Sequence, residues 1–342
     1  MRAAMLYGQE DLRLTEVPVP TIGPDEVLVR VAVAPTCGTD LKVWLRGGHA
    51  RMLRPPTLFG HEFAGQIAAV GEEVEGWQVG QMVVANNSAP CFACFYCRRG
   101  RLSLCENLLF NNGTFAEWLV VPAPIVRHNL LAVPPGLPPT LAAMTEPLAC
   151  CLHGIEEADV RPGDTVTVIG DGAIGLMLVA AATDAGARVV LCGGRADRLA
   201  VGERLGAALT LNYRTAVDPV AALREASDEG RGPDVVIEAT GQPAVWQTAI
   251  ACARPGATVV LFGGCPRGTS ITVDTENLHY NELTLKGVFH NTPRHVRSAL
   301  ALLASRRRPF ELLLSDELPL EHLGEALARM RERTAIKIAI TP

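Results

Sequence analysis

The sequence predicts an α/β protein built from two parts, a β-rich domain and a doubly wound domain around a parallel sheet. Three observations lead there. The chain has 342 residues, too many for one average domain. Its texture changes near Arg161-Pro162-Gly163, from closely punctuated strands to strands alternating with helices. A glycine-rich loop, Gly170 to Gly175, stands between a strand-like run and a helical run.

The first part is rich in valine, glycine and proline. EVLVRVAVA (26–34) and GQIAAVG (65–71) read as strands from their alternation, with Gly and Pro as punctuation. Past residue 161, TVTVI (165–169) is followed by a helix from Ile174 to about Ala185. RVVLC (188–192), a helix near 196–205 and ALTLN (208–212) come next. DVVIEAT (234–240), a helix near 243–252 and ATVVLFGG (257–264) repeat the alternation. ELTLKGVF (282–289) adds one further strand. Such alternation means βαβ units, and the near-continuous apolar strands suit a sheet covered on both faces. An amphipathic helix from His295 to Arg306, a helix near 321–332 and the strand AIKIAI close the chain.

Composition excludes several classes. The chain is 48% apolar and 20% charged with a net charge of -5, as in an ordinary soluble globular protein. Lysine occurs only at 42, 286 and 337, so arginine carries nearly all the positive charge. No basic run points to nucleic acid. The opening apolar stretch is interrupted by Glu10 and Asp11, too early for a signal peptide. The most apolar segment, 173–191, contains Asp184 and Arg188 and falls short of a membrane span. A cytoplasmic protein with neither membrane nor nucleic-acid partners is expected.

Of ten cysteines, four fall between 91 and 105. Cys91, Cys94 and Cys97 are separated by two-residue spacers, and Cys105 follows eight positions later. In a reducing compartment such clustering suits metal better than disulfides. Four thiolates make a closed tetrahedral zinc site with no open position, so a structural zinc is expected there.

In Gly170-Asp-Gly172-Ala-Ile-Gly175 the first glycine makes the tight turn and the second lets a pyrophosphate approach. The third allows close packing of helix on strand. Gly170, Gly172, Ala173, Ile174 and Gly175 are therefore expected at a dinucleotide, over a helix N-terminus that favours anions. The end of the second strand separates NAD from NADP, since a carboxylate there binds the ribose 2′-hydroxyl. The expected acidic position is Gly193, followed by Gly194 and Arg195, with Arg198 one turn on. That combination favours NADP, with arginine pairing its phosphate. The alternative is a solvated helix start bearing both arginines, with NAD as cofactor.

CGTD (37–40), GHE (60–62), the four-cysteine lobe, EPLA (146–149), GDGAIG (170–175) and a terminal Lys-Ile strand follow one another in order. Together they resemble the zinc-dependent medium-chain alcohol dehydrogenase family, nearer its polyol and threonine dehydrogenase branches. The resemblance spans essentially the whole chain. It implies a GroES-like catalytic domain, residues 1–150 and 291–342, with a structural zinc lobe at about 88–108. A Rossmann domain, 151–290, is implied between them.

The resemblance further implies a catalytic zinc on Cys37 and His61, hence two zinc ions per chain. Glu62 would bind that zinc or sit just behind it. Glu146 would ligate directly or through water, unless it serves only as a helix N-terminal carboxylate. Lys337 would belong to the cofactor site. Catalytic zinc acts as a Lewis acid and lowers the pKa of a bound hydroxyl, so an alcohol can lose hydride to a nicotinamide. Thr39 supplies a hydroxyl for the departing proton, and Asp40 is expected to orient His61. Relatives often carry a histidine three residues after that hydroxyl. Here Lys42 stands there, and a lysine of ordinary pKa near 10.4 is a poor shuttle at neutrality. Another group completes the relay, or Lys42 contacts cofactor or substrate, or it is simply solvated.

Trp44, His49, Arg51, Phe110, Asn111, Asn112, His290 and Asn291 are candidates to line the substrate pocket. Cys150 and Cys151 read as core thiols. The polar candidates favour a polyol, sugar or cyclitol, oxidised at a secondary alcohol or formed from the ketone. L-threonine or a simple alcohol is the rival substrate. A non-catalytic NADP-binding protein is the rival of another class. A homodimer or homotetramer is expected, sharing the sheet edge around ATVVLFGG and ELTLKGVF.

Overall fold

The computed structural model describes residues 1–49 and 51–342. The chain divides into two compact units, Met1–Ala149 with Asn291–Arg307 and Glu311–Pro342, and Cys150–His290 with Arg308–Phe310.

In the first unit, the alternation of EVLVRVAVA gives the long strand Val27–Pro35, with Val27, Val29, Val31 and Val33 turned into the core. It pairs antiparallel with Ala64–Val70, with Trp118–Val121 and with the C-terminal strand Lys337–Thr341. Met82–Ala85, Leu130–Ala132 and Leu314–Pro319 complete a seven-stranded sheet. Phe59, Phe63, Ile67, Phe115, Leu119, Ile338 and Ile340 fill its core. This register fixes the site. It ties residue 36 to the C-terminal strand, through Thr36 N–H donating to the Ile338 carbonyl and Ile338 N–H donating to Thr36 Oγ1. Residue 37 therefore begins a new element beside Lys337.

The second unit holds six parallel strands. Their spatial order is Leu209–Asn212, Arg188–Gly193, Thr165–Ile169, Val235–Glu238, Thr258–Leu261, Thr284–Gly287. Numbered along the chain this is 3-2-1-4-5-6, the order of dinucleotide-binding sheets. All five residues of Thr165–Ile169 are buried, because helices cover both faces of a central parallel strand. The edge strand is Thr284–Gly287. Thr258–Leu261 is paired on both sides, so ATVVLFGG is not at the edge expected for it.

The helix Pro293–Ser305 begins two residues earlier than its apolar pattern indicates, with Pro at its first position. The helix at EPLA begins at Thr145, before Pro147. Among the described residues no helix is long and apolar enough to cross a membrane.

Candidate active site

The metal-ligand candidates arise from two local rules. CGTD is a capping box at the start of helix Gly38–Arg46. Cys37 is the N-cap, its Sγ accepting from Thr39 N–H at 3.4 Å, while Asp40 Oδ2 accepts from Cys37 N–H at 2.8 Å. The sulfur thus sits where a helix N-terminus favours an anion. His61 is positioned by Gly60, whose φ is +93° and where a Cβ would come within 2.5 Å of Thr114 Oγ1 and 2.6 Å of Phe115. Only glycine permits that close approach.

These turns bring together ligand atoms of Cys37, His61 and Glu62, all within 4.8 Å of one another. All three side chains are buried, Glu62 completely. His61 Nδ1 lies 2.9 Å from Asp40 Oδ1. One carboxylate therefore holds both the backbone of Cys37 and the ring of His61, leaving Nε2 as the ring's coordinating nitrogen. Burial works against a charged His61, but Asp40 and then Cys37 more than offset it and raise its pKa well above the ordinary value.

Lys337, expected at the cofactor, pairs with Glu62. Its ammonium lies 2.7 Å from Glu62 Oε2 and 3.0 Å from Oε1, and it is 1% exposed. Burial opposes its charge, yet Glu62 and then Cys37 raise its pKa. The donor set fits zinc. Sulfur, nitrogen and oxygen are its usual ligand types. Three buried acidic side chains, Cys37, Asp40 and Glu62, gather beside one buried ammonium, a setting that a divalent cation complements. Glu146 is buried in the first turn of its helix and falls outside the mutual cluster of Cys37, His61 and Glu62. Thr39 and Lys42 are half-buried on the helix that Cys37 caps.

Cys91, Cys94, Cys97 and Cys105 also group within 4.8 Å. Cys91 and Cys105 sulfurs are 3.4 Å apart, and Cys94 and Cys105 sulfurs 3.9 Å. A tetrahedron with Zn–S of about 2.3 Å has edges of about 3.8 Å, whereas a disulfide needs about 2.05 Å. The spacing fits a four-thiolate zinc site. Backbone N–H groups point at the sulfurs. Those of Ala93 and Cys94 draw the Cys91 thiol down to about 6, while burial pushes Cys97 up to about 12.

The glycine loop fits a dinucleotide position by position. Gly170 turns at φ +126°. A Cβ on Gly172 meets nothing within 4 Å, so the surface is open to a ligand. A Cβ on Gly175 would lie 1.8 Å from the Gly170 carbonyl oxygen, so helix Ala173–Asp184 can pack this closely only through glycine. The space beside Gly193 holds the Asp171 side chain. A Cβ on Gly193 would come within 2.6 Å of Asp171 Cβ. Asp171 Oδ2 accepts from Gly194 N–H at 2.8 Å and Arg195 N–H at 3.0 Å. The Arg195 guanidinium pairs with Asp197 at 3.2 Å, and Arg198 is buried.

Of the pocket candidates, several hold the fold. Asn111 Nδ2 donates to the Val120 carbonyl and Asn112 Nδ2 to that of Met52. Both line a cavity of about 330 Å³ with Met1, Met5, Val17 and Trp118. Phe110 pairs in a short two-stranded sheet. Asn291 is buried and donates to Asn86 Oδ1 at 3.1 Å, and His153 Nδ1 donates to the His290 carbonyl at 2.8 Å. His49 is different. Its Nδ1 accepts from Arg51 and Met52 N–H, and burial, then His61, Arg46 and Arg51, lower its pKa. Cys151 is fully buried, as a core thiol, whereas Cys150, expected to be one too, is only half-buried. The Glu62–Lys337 pair and the Asp171 contacts are the functional features that residue patterns did not reveal.

A 3-2-1-4-5-6 sheet with this loop, and a buried cysteine–histidine–glutamate set, define a metal-dependent dehydrogenase linked to a nicotinamide dinucleotide. Family models agree. Residues 23–134 match the alcohol dehydrogenase GroES-like domain and residues 173–305 the zinc-binding dehydrogenase domain. The L-threonine 3-dehydrogenase of Symbiobacterium thermophilum is 35% identical, over 96% of this chain and 94% of its own. The sorbitol dehydrogenase of Bacillus subtilis is 29% identical, over 100% and 97%. A zinc-binding dehydrogenase structure from Sinorhizobium meliloti 1021, bound to NADP, superposes with a TM-score of 0.91 at 30% identity, covering 100% of this chain and 99% of that one. The chain belongs to the zinc-dependent medium-chain alcohol dehydrogenase family.

Proposed function

We propose that the chain oxidises a secondary alcohol of a polyol, sugar or cyclitol, or reduces the matching ketone, using Cys37 and His61 as catalytic zinc ligands. The observation that carries this is the buried Cys37–His61–Glu62 cluster, with Asp40 holding the first two. When bound, zinc supplies a Lewis acid for the alcohol oxygen and the dinucleotide an acceptor for hydride. Asp40 keeps His61 in the tautomer that presents Nε2. Thr39 Oγ1 takes the proton of the alcohol and passes it toward solvent. Lys337 pairs with Glu62 and holds it behind the ligands, and Glu146 is the further ligand, direct or through water. Four cysteines of the 91–105 lobe hold the structural zinc. The glycine loop holds the pyrophosphate. The chain works in the cytoplasm as a homodimer or homotetramer, assembled across the edge strand Thr284–Gly287.

The 35% identity to an L-threonine dehydrogenase favours threonine as second reading. The test is the absorbance of reduced nicotinamide on a panel of polyols, cyclitols, threonine and simple alcohols, with each cofactor. Turnover of a polyol or cyclitol, lost in Cys37→Ala, is expected. Turnover of threonine alone would move the substrate class. Turnover that survives Cys37→Ala would remove the zinc mechanism.

A further inference from the structure

We propose that Asp171 reads the adenosine ribose of the bound dinucleotide and thereby makes this chain prefer NAD(H) to NADP(H). The inference rests on the reading of 170–175 as a dinucleotide loop. In such sheets the residue ending the second strand contributes the carboxylate that binds the ribose 2′-hydroxyl. That residue here is Gly193, and its missing side chain is only half the observation. The Asp171 side chain, issuing from the neighbouring first strand's loop, occupies the space a residue-193 side chain would need. The two positions are complementary. Asp171 requires glycine at 193, and glycine at 193 admits Asp171.

The carboxylate is also fixed. Oδ2 accepts from the N–H groups of Gly194 and Arg195, the two residues that follow the strand. Oδ1 has no hydrogen-bond partner among the described residues, so it stands available to a ribose hydroxyl. A 2′-phosphate in the same place would meet a carboxylate at contact distance. It would also find the two N–H groups already engaged. Arg195 is drawn to Asp197, so its charge is partly answered. Arg214 is the positive group left at this spot: a Cβ on Gly194 would lie 2.9 Å from its Nε. Asp171 opposes that attraction, and the preference follows from its charge rather than from a lack of arginine.

The test is direct binding. NADH and NADPH are titrated separately into the full-length zinc-loaded protein, without substrate, following nicotinamide fluorescence. Wild type should bind NADH at least about tenfold more tightly than NADPH. Asp171→Asn keeps an oxygen to accept from Gly194 and Arg195, so the loop is preserved, but the charge is gone. Its NADH-to-NADPH preference should fall at least about tenfold, with NADPH binding tightened. The exchange Asp171→Gly with Gly193→Asp should restore the NADH preference. Wild type binding NADPH as tightly as NADH, or a preference unmoved by Asp171→Asn, would overturn the inference while leaving the dinucleotide loop intact. Binding of neither cofactor would overturn both the loop reading and the inference.

Discussion

Replacing Lys337 by Met tests the charge arrangement around the ligands. Lys337 is 1% exposed, and Glu62 is fully buried with both oxygens toward the ammonium. Met has similar length, so packing is nearly conserved and the loss is of charge. Removing one member of a buried ion pair leaves the other uncompensated, at about 3–5 kcal/mol. A folding unit of this size shifts by about 2–4 °C per kcal/mol, so melting should fall by about 6–20 °C. Calorimetry on the zinc-loaded protein reads this. The double variant Lys337→Met with Glu62→Gln removes both charges and should recover most of the loss, because the cost lies in the unpaired carboxylate. A single-variant loss below about 1 kcal/mol, or a double variant no better than the single, would refute the reasoning.

Further outcomes follow from the same geometry. Asp40→Asn removes the carboxylate shared by Cys37 and His61, and should weaken zinc binding about 10–100-fold, seen as faster zinc release to a colorimetric chelator. Unchanged release would mean Asp40 does not set the His61 ring. Cys94→Ser should leave one zinc per chain and loosen the lobe's backbone, so that trypsin cleaves faster at the exposed Arg98, Arg99 and Arg101, with cleavage mapped by mass spectrometry. A lobe still resistant would show that zinc does not order it. Gly175→Ala places a Cβ 1.8 Å from the Gly170 oxygen. It should cost about 1–3 kcal/mol in urea unfolding and weaken NADH binding, and a neutral result would contradict the close packing of loop and helix.

Much of this was legible before any coordinates. Local patterns carried it. Alternating valines marked Val27–Pro35, and the spacing of Cys91, Cys94, Cys97 and Cys105 marked a group that the fold draws within 4.8 Å. Asp40 lies three residues from Cys37 in a capping box, a relation that sequence spacing carries directly. What could not be read depends on elements meeting at a distance. Glu62 and Lys337 are 275 positions apart, joined only by the register of the C-terminal strand on Val27–Pro35. Lys337 therefore looked like a cofactor ligand. Gly193 looked like empty space because Asp171 reaches it from the loop after the neighbouring strand, 23 positions from its partner Gly194. Asn111 and Asn112 read as pocket polars, and they line a cavity, but the backbone carbonyls of Val120 and Met52 that their amides satisfy lie 9 and 60 positions away and could not be read from the sequence.

The most direct test of the central claim is the zinc content of purified wild type and of His61→Ala, measured by inductively coupled plasma mass spectrometry on dialysed protein. Two zinc ions per chain in wild type and one in His61→Ala are predicted, because the four-cysteine site is untouched by that change. Two ions retained in His61→Ala, or a single ion in wild type, would contradict a catalytic zinc held by Cys37 and His61.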